Sequence, residues 1–262
     1  MRKLLLASAA SLCFVNTAAA EDGFSFGVYG GATLETDMDH RLFGGVLAPT
    51  DPSILPSGTW AAIDFRHHGG GAFWGVGVEG ISINTGAPGV GTSPRRPGVD
   101  AAIVDLEYGR HLSASGYWTI GLRHMTMDVT PDSGTVGRGP LHAFEGTGLR
   151  VGYEGKTGGS EGEPSFVGGI GLSVLDGEIE TSARGTWLCT ACTDTDTTAV
   201  GIDGKIALAM PASDSATFMF GYQAQYWADV TVEISDVSGL SENAGTSDIL
   251  VHGPFLGYSL NF

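Results

Sequence analysis

The chain contains seven histidines, the residues most often used in acid–base catalysis, and the residues near each one in the sequence indicate whether it could be catalytic. Acid–base or nucleophilic catalysis needs a histidine beside an acid or a serine. His67 and His68 share a glycine-rich turn with no further ligand nearby in the sequence. His124 lies on the outward side of its predicted strand, and only His142, near Glu145, keeps a hydrolase hypothesis open. We expect no catalytic residue, no metal and no cofactor.

Cys189 and Cys192 form a C-x-x-C pair in a polar, threonine-rich stretch. A redox-active pair of this spacing belongs in a βαβ context, and no such context surrounds it in the sequence. In an exported chain, two neighbouring cysteines most often form a disulfide. We therefore expect Cys189 and Cys192 to be oxidised to each other and to close a small loop.

The N-terminus has the three parts of an export signal. A basic pair at residues 2–3 precedes an apolar stretch over 4–15 and small residues at 18–20. This order predicts a secretory signal peptide over residues 1–20. The mature chain, residues 21–262, is then expected to be one domain, since no interdomain linker or repeat interrupts it.

The composition of the mature chain narrows the class of protein. After residue 20, no apolar run reaches the roughly 18 residues that a membrane helix needs. Only 16% of residues are charged, and glycine occurs 42 times, which suits apolar residues spread along alternating strands. Without the basic pair at residues 2–3, 11 basic residues oppose 29 acidic ones, a net charge of −18. Nucleic acid is therefore not an expected partner, because phosphate binding needs a basic surface.

The last strand carries the clearest membrane pattern. Leu256, Tyr258, Leu260 and Phe262 alternate with small or polar residues, so they share one face of an extended strand. Lipid would cover such a face in an outer-membrane barrel, with the aromatic residues at the interface. A closing strand that ends in phenylalanine resembles the assembly signal of these barrels. We therefore assign Tyr258, Leu260 and Phe262 to that signal, and an ordinary amphipathic strand is the alternative.

Alternation divides the mature chain into ten predicted strands. The linkers between them alternate between long and short, as extracellular loops and periplasmic turns do in outer-membrane barrels. The predicted fold is an all-β transmembrane antiparallel barrel of ten strands, with eight or twelve as alternatives, closed by the strand that ends in Phe262. The predicted strands are 24–35, 57–67, 72–83, 99–112, 117–130, 141–156, 164–182, 198–210, 214–235 and 248–262.

The same alternation assigns an inner row of side chains to each strand. Val104 and Leu106 would face lipid, for example, and Asp105 and Glu107 the lumen. A salt-bridged plug and a charge-lined pore kept open by inward glycines both fit this pattern, since a ten-stranded barrel is narrow. The candidate lumen residues are Asp64, Arg66, Glu79, Asp105, Glu107, Arg123, Arg150, Asp203, Lys205, Gln223 and Gln225.

Four segments resemble the Legionella-type major outer membrane protein family of pore-forming barrels. Residues 117–124 look like that family's Gly-Leu-Arg strand, and 144–152 like its Phe-x-Gly-x-Gly-x-Arg-x-Gly segment. Residues 221–227 look like its Gly-Tyr-x-x-x-Tyr-Trp strand, and 252–256 like its C-terminal approach. The resemblance implies an outer-membrane porin. The positions that it carries over as interior candidates are Gly121, Arg123, Gly148, Arg150, Gln223 and Trp227.

Three functions follow as hypotheses. The first is a porin that passes small hydrophilic solutes or ions by passive diffusion. The second is a structural anchor or adhesin with a plugged barrel, and the third is an outer-membrane hydrolase. The expected partners are outer-membrane lipid and lipopolysaccharide, the barrel assembly machinery and small solutes, with a homo-oligomer as a further option.

Overall fold

The chain forms an antiparallel sheet that closes on itself. The computed structural model describes residues 23–33, 35–38, 58–84, 98–113, 115–130, 141–157, 162–182, 194–232 and 246–262. The predicted signal peptide, Cys189 and Cys192 lie outside these residues. The strands are β1 Gly23–Thr33, β2 Glu35–Met38, β3 Gly58–Gly69, β4 Ala72–Asn84, β5 Gly98–Ser113, β6 Gly116–Thr130, β7 Leu141–Thr157, β8 Ser165–Ser182, β9 Thr195–Ser213, β10 Ala216–Val232 and β11 Thr246–Asn261.

The barrel has ten strand positions around its circumference, called staves here, because β2 continues β1 along the same neighbouring strand, β11. Both strands pair with β11, which makes β1 and β2 the first stave and closes the sheet. Between the pairs Gly31–Phe255 and Glu35–His252, four steps along the first stave oppose three along β11. The register against β11 therefore shifts by one residue between β1 and β2. The predicted ten-stranded antiparallel barrel is confirmed.

The seam between the first and last staves is held at its very end. Phe24 N donates to Phe262 O at 2.8 Å, and Phe262 N donates to Phe24 O at 2.9 Å. The two rings stack with centroids 6.2 Å apart. Phe262 follows the last residue of β11, but its backbone still takes part in the closure that the sequence predicts.

The observed strand boundaries lie within about three residues of the predicted ones, and the glycine-rich turns fall between them. At the short connection between β3 and β4, Gly70 and Gly71 have φ of 61° and 77°, which two-residue hairpin turns of type I′ require. The largest departure is in β9, which begins at Thr195 and ends at Ser213, three residues beyond the predicted 198–210 at each end. The predicted strands leave Pro211 in the short connection between them, but it pairs with Thr217 beside a register shift of the β9–β10 pair.

The outer face is a continuous apolar band. In β5, Leu106 is 51% exposed, whereas its inward neighbours Asp105 and Glu107 are 3% and 6% exposed. The outward charges Asp100 and Arg110 bound this band, and they stand ten residues apart. At about 3.4 Å per residue and the usual barrel tilt, that separation covers ~25 Å along the membrane normal. The band therefore matches the hydrocarbon core of a bilayer.

Aromatic and acidic side chains mark the two borders of the band. The end with short connections, called here the turn end, exposes Phe24, Trp74, Tyr108, Tyr153, Phe166, Phe218 and Tyr258. The opposite border, at the end with long linkers (the loop end), exposes Asp100, Asp128, Glu145, Asp176, Glu178 and Asp196. An apolar band with an aromatic girdle is the surface of a transmembrane barrel. No helix among the described residues is long and apolar enough to cross a membrane.

Candidate functional site

The lumen has two layers of different chemistry. Its loop-end half is filled by apolar side chains, of which the largest fully buried ones are Trp60, Ile83, Ile103, Met125, Met127, Phe144, Leu175, Ile179, Trp227 and Ile249. Its turn-end half holds the charged side chains. The charged layer is predicted from the sequence, whereas the apolar layer is not. The sequence does contain a signal for the apolar layer, because Ile81 and Ile83 have the same inward parity as Gly77 and Glu79 on the same strand.

All eleven candidate lumen residues lie on the inner face of the wall. Nine of them are less than 9% exposed, and the side chains of Asp203 and Lys205 are 14% and 13% exposed. The burial of charged groups is tolerable only when they are paired. Their placement inside the barrel is observed, but a role in lining a conducting pore stays a prediction.

Arg123 on β6 is held by carboxylates from two other strands, β5 and β9. Its Nε and Nη2 donate to Asp105 Oδ1 and Oδ2 at 2.7 and 2.6 Å, a bidentate pair on the neighbouring strand β5. Its Nη1 donates to Asp203 Oδ1 on β9 at 3.0 Å and to Ser173 Oγ at 3.2 Å. The guanidinium also lies 5.5 Å from the Trp227 ring centroid, so it joins the charged layer to the apolar one.

Arg150 on β7 extends this chain of charges. Its Nε and Nη2 donate to Asp203 at 3.2 and 2.6 Å, and its Nη1 makes a short contact with Glu107. Asp203 thus bridges two arginines from different strands. Bidentate guanidinium–carboxylate pairs are among the stronger hydrogen-bonded contacts in proteins, so the two arginines are fixed in position.

Arg66 on β3 reaches across the lumen to the opposite side. Its Nη1 donates to Tyr117 Oη at 3.0 Å and to Glu154 Oε2 at 3.3 Å, and its Nη2 donates to Glu107 Oε2 at 3.4 Å. The guanidinium stacks 4.4 Å from the Phe73 centroid. Glu154 and Tyr117 were not among the sequence candidates. Glu154 could have been found, because it shares the inward parity of Arg150 on the same strand.

A second level of cross-lumen contact lies nearer the apolar layer. Gln225 on β10 donates through Nε2 to Glu79 Oε1 on β4, from the opposite wall. Trp227 Nε1 then donates to Gln225 Oε1 at 3.4 Å. Among the described residues, the lumen is therefore bridged at two levels.

The inward glycines do not leave open space. A side-chain carbon added at Gly75 would collide with Arg66, and one added at Gly171 would collide with Arg150 and Asp203. These glycines make room for the charged side chains that fill the lumen. This favours the plug over the open pore of the two readings of the sequence.

Among the residues whose side chains are described, the hydrolase candidates do not form a site. His124 lies on the outer face and shares a 2.8 Å hydrogen bond with Thr147, and Glu145 is also on the outer face. The side chain of His142 lies outside the described residues. Among the described residues, no group of three or more His, Cys, Asp or Glu side chains could hold a metal ion.

These observations define the class: a ten-stranded transmembrane antiparallel β-barrel with a side-chain-filled lumen. No protein-family model matches the chain, and no curated protein matches it. Solved structures to which it is similar include Neisserial surface protein A, at 8% identity and a TM-score of 0.36, over 92% of this chain and 97% of that one.

Two further solved structures are similar to this chain. The translocator domain of the autotransporter NalP from Neisseria meningitidis has 11% identity and a TM-score of 0.45, over 94% and 91% of the two chains. The toluene transporter TbuX from Ralstonia pickettii has 9% identity and a TM-score of 0.33, over 93% and 90%. Identities and scores this low say nothing about what this barrel does.

Proposed function

We propose that this chain is a bacterial outer-membrane barrel with a closed lumen, which anchors its long linkers at the cell surface without enzymatic activity. The observation that carries the proposal is the set of contacts between opposite walls, Arg66 with Glu154 and Gln225 with Glu79. A permanently open porin has no such contacts through its bore. The apolar layer above them adds a second closure, since a dry apolar constriction also blocks ions.

The outer membrane is the location that best suits this surface. In a closed barrel the backbone N–H and C=O groups of every strand are paired with a neighbouring strand. Such a barrel can therefore cross the hydrocarbon core of a membrane, whereas an open sheet cannot. The predicted signal peptide and the exposed Phe262 at the seam support export and insertion by the barrel assembly machinery. Lipid and lipopolysaccharide are then the partners of the apolar band.

A passive porin is the second candidate, and one observation favours it. The turn-end half of the lumen is built from ion pairs, and water and ions can compete for such pairs in a way that they cannot for a packed apolar core. In that case the network Arg123–Asp203–Arg150 is a gate, and its separation admits small solutes.

Single-channel recording of the refolded protein in a planar bilayer separates the two functions. A closed anchor is expected to give no steady conductance at moderate voltage. Steady, ohmic conductance of the wild type would overturn the closed-lumen proposal and favour the porin. The variant Leu112→Ala, changed at an exposed position outside the lumen, controls for conductance that arises from refolding defects.

A further inference from the structure

The loop-end half of the lumen is closed in part by two side chains of β10. Trp227 and Val230 are 1% and 0% exposed, and both belong to the apolar core of the barrel. The Trp227 ring covers Gly201 on β9, where an added side-chain carbon would collide with it. The ring centroid lies 5.5 Å from the guanidinium carbon of Arg123 on β6. Trp227 therefore reaches across the lumen at the boundary between the apolar and charged layers.

A regular strand would not turn both of these side chains inward. Trp227 and Val230 are three residues apart, and successive side chains of a strand point to opposite faces. Between them the pairing of β10 with β11 shifts, because four steps along β10 from Trp227 oppose two steps along β11 from Ile249. Extra residues in one strand of a pair form a β-bulge, which re-aims side chains. Residues 228–230, called here the β10 bulge, thus turn Val230 into the lumen.

Asp229 gives the β10 bulge its shape. Its φ of 62° lies in the left-handed region, and among the described residues no other non-glycine residue has a positive φ. Aspartate tolerates this conformation better than most residues do, whereas a β-branched side chain resists it. The bulge therefore depends on a backbone conformation that is costly unless the surrounding structure supports it.

Two neighbouring side chains supply that support. Asp248 Oδ1 on β11 accepts from Asp229 N at 3.4 Å, and Thr197 Oγ1 on β9 donates to Asp229 O at 3.1 Å. Asp248 also accepts from Tyr226 Oη through its other carboxylate oxygen, so it holds β10 on both sides of Trp227. Asp248 lies on the outer face at the loop end. A carboxylate outside the barrel therefore helps to hold a side chain that closes the lumen inside.

We propose that the β10 bulge is a hinge in the loop-end closure and that Asp248 is its latch. While the latch holds, Trp227 and Val230 stay in the lumen. When the contact between Asp248 and Asp229 separates, β10 returns to regular alternation, which turns Val230 outward and Asp229 inward. A charged side chain then replaces an apolar one in the constriction, which admits water and ions. The inference rests on the closed lumen proposed above and adds where that lumen opens.

Two substitutions at one position test the hinge. Asp229→Gly and Asp229→Thr both remove the carboxylate, but glycine adopts a positive φ freely, whereas the β-branched threonine resists it. In single-channel recordings of the refolded barrels, Asp229→Gly should stay as closed as the wild type, and Asp229→Thr should open in bursts. Equal behaviour of the two variants would overturn the hinge, because the backbone conformation would then not decide the closure.

The latch has its own test, which also serves if Asp229→Thr does not assemble. Asp248→Ala removes the acceptor of Asp229 N and Tyr226 Oη, and openings should become about tenfold more frequent, since hydrogen bonds to a charged group are lost. Asp100→Ala is the matched control. Asp100 is also on the outer face at the loop end, but it accepts from Ser82 Oγ on β4 at 2.7 Å, away from the bulge. Heat-modifiable mobility on gels reports the assembly of each variant.

The outcomes separate this inference from the proposed function. A closed wild type together with assembled but closed Asp229→Thr and Asp248→Ala barrels would overturn the hinge and leave the closed anchor standing. Openings of Asp248→Ala that are no more frequent than those of Asp100→Ala would overturn the latch. Steady conductance of the wild type would overturn both the hinge and the closed lumen on which it rests.

Discussion

Arg123 Nη1 donates to Asp203 Oδ1 at 3.0 Å, from β6 to β9, although the two residues are 80 positions apart in the chain. Asp203 simultaneously accepts from Arg150, so one carboxylate on β9 orders two arginines from β6 and β7. When one partner of a buried ion pair is removed, the other stays behind as a buried charge at a cost of about 3–5 kcal/mol. The lumen should therefore respond steeply to changes at these positions.

Neutralising both arginines should weaken the barrel and open it. In Arg123→Gln/Arg150→Gln, Asp105, Glu107 and Asp203 lose their strongest partners, and their charge would draw cations into the lumen. We expect a lower urea midpoint and a cation-selective leak where the wild type is closed. The measurements are the unfolding midpoint and the reversal potential under a salt gradient.

The control for this double variant is Arg110→Gln, at the exposed border of the apolar band. It removes a positive charge of the same kind without touching the lumen, and it should leave both conductance and stability close to those of the wild type. An unchanged midpoint and an unchanged closed state in the double variant would contradict the role assigned to the network.

Deleting Phe262 should lower the yield of assembled barrel. The deletion removes both backbone hydrogen bonds with Phe24 and the ring that stacks on it, so the seam loses its last contacts. Phe166→Ala is the matched control, because Phe166 is an outward aromatic at the same border but far from the seam. Heat-modifiable mobility on gels reports assembly. Equal yields for the deletion and the wild type would argue against the assembly signal.

The barrel could be predicted from the sequence because its main determinant is local. Alternation along each strand fixes which side chains face lipid, and Asp105 beside Leu106 is enough to orient β5. Short connections such as Gly70–Gly71 then fix the pairing of neighbouring strands. The one-residue shift in register between β1 and β2 was not predictable in this way, because it depends on the pairing with β11 at the far end of the chain.

The state of the lumen could not be settled from the sequence. Parity places Arg66 and Glu154 inside the barrel, but whether they meet depends on the barrel diameter, which strand number and shear determine together. The inward glycines show the same limit. Gly171 fits an open bore as well as a cradle for Arg150, and only the three-dimensional register distinguishes them.

A charge in the middle of the outer face should destabilise the barrel. Leu122 is 52% exposed in the apolar band, and an arginine at the bilayer midplane costs about 2–4 kcal/mol. Leu122→Arg should lower the free energy of unfolding in phospholipid vesicles by roughly this amount. Leu112→Arg, at a still more exposed leucine beyond Arg110, should cost about 0–1 kcal/mol because it lies near the interface. Similar losses for both variants would move the membrane border assigned here.

The orientation of the barrel can be tested at Cys189 and Cys192. These residues fall in the long linker between β8 and β9, at the loop end, which outer-membrane barrels place outside the cell. In intact cells, an impermeant thiol reagent should label them only after a reductant has opened the predicted disulfide. The double variant Cys189→Ser/Cys192→Ser controls for other reactive groups. Labelling without reductant would exclude the disulfide. Labelling only after the outer membrane is permeabilised would reverse the orientation and place the charged half of the lumen at the cell surface.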